Sequence, residues 1–146
     1  MSASEQFLSV SDERAVVDAI QQAEKNTSGE IRVHLEDYSK KPPLERAQEV
    51  FLSLEMHKTV ARNGVLFYIS VEDHQFVILG DEGINKLVTP DFWHTTKDIV
   101  ISHFKIGKNK EGLVQGILKA GEELKKFFPY CEATDENELS NEISRG

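Results

Sequence analysis

The chain has 146 residues, enough for one domain around a single continuous core. Its 39% hydrophobic and 29% charged residues are globular proportions, which argues against a disordered or membrane-embedded chain. With 25 acidic against 17 basic residues the net charge is −8 and no basic stripe interrupts it, so nucleic acid is not an expected partner, whereas a divalent cation or a basic protein is compatible.

A single cysteine, Cys131, rules out an internal disulfide, and its setting beside Pro129 and Tyr130 gives it no sign of a nucleophile. The polar start, Met1 to Gln6, lacks the basic-then-apolar pattern of a secretion signal. The apolar runs Val65–Ile69 and Phe76–Leu79 are far short of the ~20 residues that span a bilayer. A cytoplasmic chain without direct membrane insertion is the expectation.

In chain order, Ala15, Val16, Ala19, Ile20 and Ala23 recur at helical spacing, predicting a helix over Ser11–Lys25 capped by Ser9 or Ser11. The turn formers Asn26 to Gly29 end it. Glu30 to Glu36 alternates strictly and predicts a strand with Ile31, Val33 and Leu35 facing the core. Pro42-Pro43 opens a second helix from Leu44 to about His57. After Asn63-Gly64, the run Val65–Val71 is apolar on both faces, which predicts a central strand covered on two sides. The short turn Glu72–His74 leads into a third strand, Gln75–Leu79, paired antiparallel with the second.

Pro90 marks the start of a third helix, with Phe92, Trp93, Thr96, Ile99, Val100 and Phe104 on its buried side and Trp93 as a core anchor. Gly107 breaks it. A fourth helix carries Leu113, Ile117, Leu118, Gly121, Leu124 and Phe128 on one face and stops at Pro129. Residues 1–130 thus form one domain of order α-β-α-β-β-α-α: an α/β fold, a three-layer α/β/α sandwich around a small mixed sheet. Residues 131–146 are read as an acidic, loosely held tail with Leu139 and Ile143 as spaced anchors.

No catalytic constellation stands out. His34, His57, His74, His94 and His103 show no metal-binding spacing, and His34 alternates to the side of its strand away from Ile31. There is no nucleophile elbow, no dinucleotide fingerprint and no P-loop; Gly112, Gly116 and Gly121 suit close helix packing instead. Strand direction sorts the acids into two rims. Glu36, Asp37, Glu72 and Asp73 gather at the carboxyl ends of the parallel strands; Glu30, Asn63, Asp81 and Glu82 gather at the opposite end. Oxygen ligands of this kind suit calcium or magnesium, and no other cofactor is expected.

The stretch Ile31–Pro129 resembles the TPM domain family of thylakoid-lumen, photosystem-repair and bacterial proteins. Arg62-Asn63-Gly64 followed by Val65–Ile69 carries the resemblance, with Gly80-Asp81-Glu82-Gly83-Ile84, Phe104, Gly112-Leu113 and Phe127-Phe128-Pro129. It implies an α/β/α sandwich. Some plant members are described as calcium-binding acid phosphatases, and others act as assembly or accessory factors. Carried onto this chain, it favours the second rim, with Asn63, Asp81 and Glu82 as the metal-site candidates. Arg62 stands where the usual member has an acidic residue, and Asn85 where another acid often follows the loop. The leading expectation is therefore a non-catalytic binding or accessory domain with a protein partner, serving envelope or membrane-complex maintenance. The alternative is a metal-dependent phosphatase-like hydrolase in which an ion at Asp81, Glu82 and Asn63 activates water.

Overall fold

The computed structural model of the protein describes residues 2–130 and 137–146, so Cys131 lies outside the described residues. A short helix, α1 (Ala3–Gln6), precedes α2 (Val10–Glu24). Ser9 caps α2: its hydroxyl accepts the Asp12 N–H at 3.1 Å while the Asp12 carboxylate accepts the Ser9 N–H. This reciprocal box satisfies two N–H groups that would otherwise lack partners.

The first strand, β1 (Glu30–Glu36), has the bounds its alternation predicts. α3 (Pro43–Ser53) starts as expected but ends four residues before His57. Glu55 takes a left-handed backbone (φ 57), and a 3-10 turn over Met56–Lys58 follows. That reversal delivers Met56, fully buried, under the sheet. β2 (Gly64–Ser70) and β3 (Gln75–Gly80) form the hairpin. Past β3, a one-turn helix α4 (Glu82–Asn85) carries the Asp81–Gly83 segment. α5 (His94–Lys105) and α6 (Asn109–Lys125) follow. α5 begins later than Pro90 because residues 90–93 form turns.

The sheet has four strands in the order β3-β2-β1-β4, where β4 is Ser144–Arg145. β1 runs parallel to β2 with Glu30 opposite Gly64 and Glu36 opposite Ser70, and β3 runs antiparallel to β2. Every residue of β2 is buried, as a strand covered on both faces requires. β4 corrects the expectation of a loose tail over 137–146. It pairs parallel with β1, placing Ser144 opposite His34 and Arg145 opposite Leu35. Leu139 and Ile143 pack as its anchors, one on each side of the sheet.

Two cores flank the sheet. On one face Ile31, Val33, Leu35, Phe67 and Ile69 meet α2 and α6 through Val16, Ile20, Leu113 and Ile117. On the other, Leu66 and Tyr68 meet Ala47, Val50 and Phe51 of α3 together with Met56. Each fully buried aliphatic side chain contributes roughly 1.5–3 kcal/mol, so both layers are needed to hold the sheet. α6 lies close to α5 because a side chain at Gly116 would collide with Val100. Trp93 packs against the first core edge-to-face with Phe92 (centroids 4.7 Å apart) but is only half-buried, less than its periodicity predicts.

Candidate functional site

At the amino end of β1 and the far end of β3, the structure brings Asp81 and Glu82 together, but on a cation. Arg62 donates from Nε to Asp81 Oδ2 at 2.8 Å and from a terminal nitrogen to Oδ1 at 2.9 Å; its other terminal nitrogen reaches Glu82 Oε1 at 3.1 Å. Asp81 is only 6% exposed, so this two-pronged pairing is the charge compensation its burial requires. Hydrogen bonding to Asp81 raises Arg62 above its ordinary value. Asp81 also caps α4, accepting the Glu82 N–H at 2.8 Å.

The third predicted ligand, Asn63, is buried but turns elsewhere: its amide donates to Ser28 Oγ at 3.2 Å. Its carbonyl accepts the Glu30 N–H at 3.3 Å, and the Gly64 carbonyl accepts the Asp81 N–H at 2.9 Å. The unusual backbone at this rim falls on Arg62, whose φ is 51. Left-handed geometry at a non-glycine is uncommon, and here it aims the guanidinium across the rim. Gly83 is required for a different reason. Its N–H donates to the Arg62 carbonyl at 2.8 Å, and a Cβ there would run into the carbonyl oxygens of Ala61 and Arg62.

The carboxyl-end rim holds the more elaborate arrangement. Glu36 is buried and accepts two hydrogen bonds of 3.0 Å from Arg46, one from His34 Nε2 at 3.0 Å, and one from the Tyr68 hydroxyl. Burial pushes the Glu36 carboxyl up, but the bonds from Arg46, Tyr68 and His34 outweigh it and bring it down to about 2. Burial, then the bond to Glu36, pushes the Tyr68 phenol up to about 12. His34 is held below its ordinary value by burial, against the pull of Glu36. Because an ionised Glu36 only accepts, Nε2 carries the His34 proton and Nδ1 accepts from the Ser144 hydroxyl at 3.0 Å.

His34 is therefore not on a solvent-facing side: Ser144 and Gly146 lie against it, and its ring stacks on Tyr68 with centroids 5.9 Å apart. The other predicted rim acids are spent on backbone. Asp37 accepts the Ser4 N–H at 2.7 Å and Asp73 the Ser39 N–H at 2.6 Å, while Glu72 is exposed. Among the described residues no group of three His, Cys, Asp or Glu stands where it could hold a metal ion. Sequence reasoning missed Arg46, Tyr68 and Ser144, which come from three other elements. Only the i, i+2 spacing of His34 and Glu36 pointed to one shared face.

A three-layer α/β/α domain with arginine-paired carboxylates at both ends of its parallel strands is the class these features define. The chain belongs to the TPM domain family, whose model matches residues 1–123. The match takes in α1 and α2, ahead of the stretch on which the sequence resemblance rests. The chain is 54% identical to the BA42 protein from the psychrophilic bacterium Bizionia argentinensis, whose NMR structure superposes with a TM-score of 0.91 over 96% of each chain. No curated protein matches it. Among the described residues no helix is long and apolar enough to cross a membrane.

Proposed function

We propose that this chain is a non-catalytic binding and accessory domain that engages another protein, in the upkeep of envelope or membrane complexes. The observation that supports this reading is Arg62, whose guanidinium pairs with both Asp81 and Glu82. A hydrolytic metal site needs those carboxylates free to carry an ion and a polarised water. Here a fixed positive charge already sits between them. Any divalent ion is proposed to bind at Asp81 and Glu82, joined by Asn63 once its amide leaves Ser28, in competition with Arg62 and hence weakly, in the ~10⁻⁴–10⁻³ M range of low-charge calcium modules.

One experiment tests both halves. Hydrolysis of p-nitrophenyl phosphate is followed with calcium, with magnesium and with neither, alongside calorimetric titration of the same ions. No turnover under any condition is expected. Metal-dependent turnover that disappears in Asp81→Asn would install the phosphatase-like reading in its place. Arg62→Ala is expected to tighten ion binding, because it leaves two carboxylates uncompensated; unchanged binding would move the ion site elsewhere.

A further inference from the structure

A groove opens between the β2–β3 hairpin and α5, beyond the carboxyl end of β2, and encloses a cavity of about 630 Å³. That lies within the ~300–1,000 Å³ of small-molecule sites, and the carboxyl ends of parallel strands are where open α/β sheets place them. Its floor is built from edge-to-face rings. Phe104 meets Phe7 at 5.3 Å and Phe76 at 5.9 Å between centroids, and Phe76 in turn meets Phe67 at 5.6 Å. Ile101 completes the apolar wall.

The charge of this groove runs against that of the whole molecule. In a chain of net charge −8, no acidic side chain is among the residues lining it, while Lys97 and Lys105 both are. Lys97, Ile101, Phe104 and Lys105 recur at helical spacing, so α5 turns one continuous apolar and cationic face to the cavity. Neither lysine makes an ion pair or a side-chain hydrogen bond among the described residues, although the chain is rich in acids that could have claimed them. The two lie ~12 Å apart along the helix axis, so a single carboxylate pairs with one of them.

We propose that this groove is a binding site for a small amphipathic anion, an alkyl or aryl carboxylate whose apolar body lies on Phe7, Phe76 and Phe104 and whose charge meets Lys97 or Lys105. The ring floor fits the apolar body and the isolated positive charge fits the head group. The site adjoins the carboxyl-end rim but shares no lining residue with the Glu36 or the Asp81 cluster, and it does not depend on the protein-binding reading above.

The test is NMR titration of the labelled chain with decanoate below its micelle concentration, with decanol as the uncharged comparator. Saturable one-to-one binding is expected, with amide shifts confined to Phe7 and residues 69–76 and 97–109 and with decanoate tighter than decanol. The double variant Lys97→Gln, Lys105→Gln is expected to weaken decanoate about fivefold and leave decanol unchanged, the factor of one exposed ion pair. Both lysines are exposed, so this variant keeps its fold. Val71→Trp, which fills the groove, is expected to abolish both ligands. Absence of saturation, shifts outside the groove, or equal affinity for decanol and decanoate each overturn the proposal. So does a groove whose amides shift with protein concentration alone, since a second copy of the chain is then its occupant.

Discussion

Glu36 shows how a buried carboxylate stays ionised. Lowering its carboxyl from the ordinary 4.5 to about 2 corresponds to roughly 3 kcal/mol favouring the folded state, because Arg46, Tyr68 and His34 bind only its charged form. The folded value is depressed, so this stability is fully present above pH 4.5 and is lost as pH falls toward 2. Glu36→Gln is expected to cost about 2–4 kcal/mol at pH 7 in urea denaturation and little at pH 2, where the wild type has lost the same contribution. A variant with equal cost at both values would mean that the side chain acts through shape and not charge. The sequence placed Glu36 at the right end of the right strand but grouped it with Asp37, Glu72 and Asp73 as one rim acid among several. Alternation tells which residues share a face; it does not tell whether that face meets water. Here the answer lies in Arg46, ten residues on, and in Ser144, near the other end of the chain. The Arg62–Asp81 pair was hidden for the same reason, although both residues had been singled out one by one.

Elements with long periodic patterns were legible, and short or non-local ones were not. β1, β2 and β3 were read nearly to the residue because alternation, a doubly apolar run and a tight turn are local signals. α1 and α4, of four residues each, are too short to show a helical period, and β4 is two residues held by register alone. β4 nevertheless covers one side of β1. Around it, Arg145 pairs with Glu13, the Leu139 N–H donates to Glu30 Oε1 at 2.7 Å, and the Gly146 N–H donates to the Leu35 carbonyl at 3.0 Å. Removing residues 137–146 unpairs the β1 edge at His34 and Leu35, which templates strand addition by another chain. The expected outcome is a lower melting temperature together with concentration-dependent association in sedimentation velocity; a monomer of unchanged stability would show that the docked segment contributes nothing. On the opposite face, Gly116→Val is expected to cost about 1–3 kcal/mol, since α5 must move off α6 to clear Val100. Thermal unfolding that matches the wild type would mean the two helices separate freely.

For the molecule as a whole, the carboxylates pull the pH dependence of stability in opposite directions. Glu24 and Glu30 sit at the amino end of β1, where burial pushes both up to about 7 despite backbone N–H donors from Ile31 to Glu24 at 3.0 Å and from Leu139 to Glu30. Neither has a cation paired with it among the described residues, in contrast to Glu36. Their folded values are raised, so at pH 4.5 the folded state keeps protons that the unfolded chain releases as pH rises. Stability therefore declines between pH 4.5 and 7 and stays low above that, by about 1–2 kcal/mol for each group once local relaxation is allowed. His34 works the other way. Its folded value is lowered, so its share of stability is present above its ordinary 6.5 and fades as pH falls below that. With Glu36 failing only below 4.5, the most stable pH is expected to lie between about 5 and 6, on the acid side of neutrality. Calorimetric melting from pH 4 to 9 measures this directly. The double variant Glu24→Gln, Glu30→Gln keeps the acceptor oxygens but removes the titration, so it should match the wild type at pH 5 and melt several degrees higher at pH 8. A wild-type melting temperature that climbs steadily from pH 5 to 8, or a double variant that gains nothing at pH 8, would show that these two glutamates ionise in the folded state as easily as they do in water.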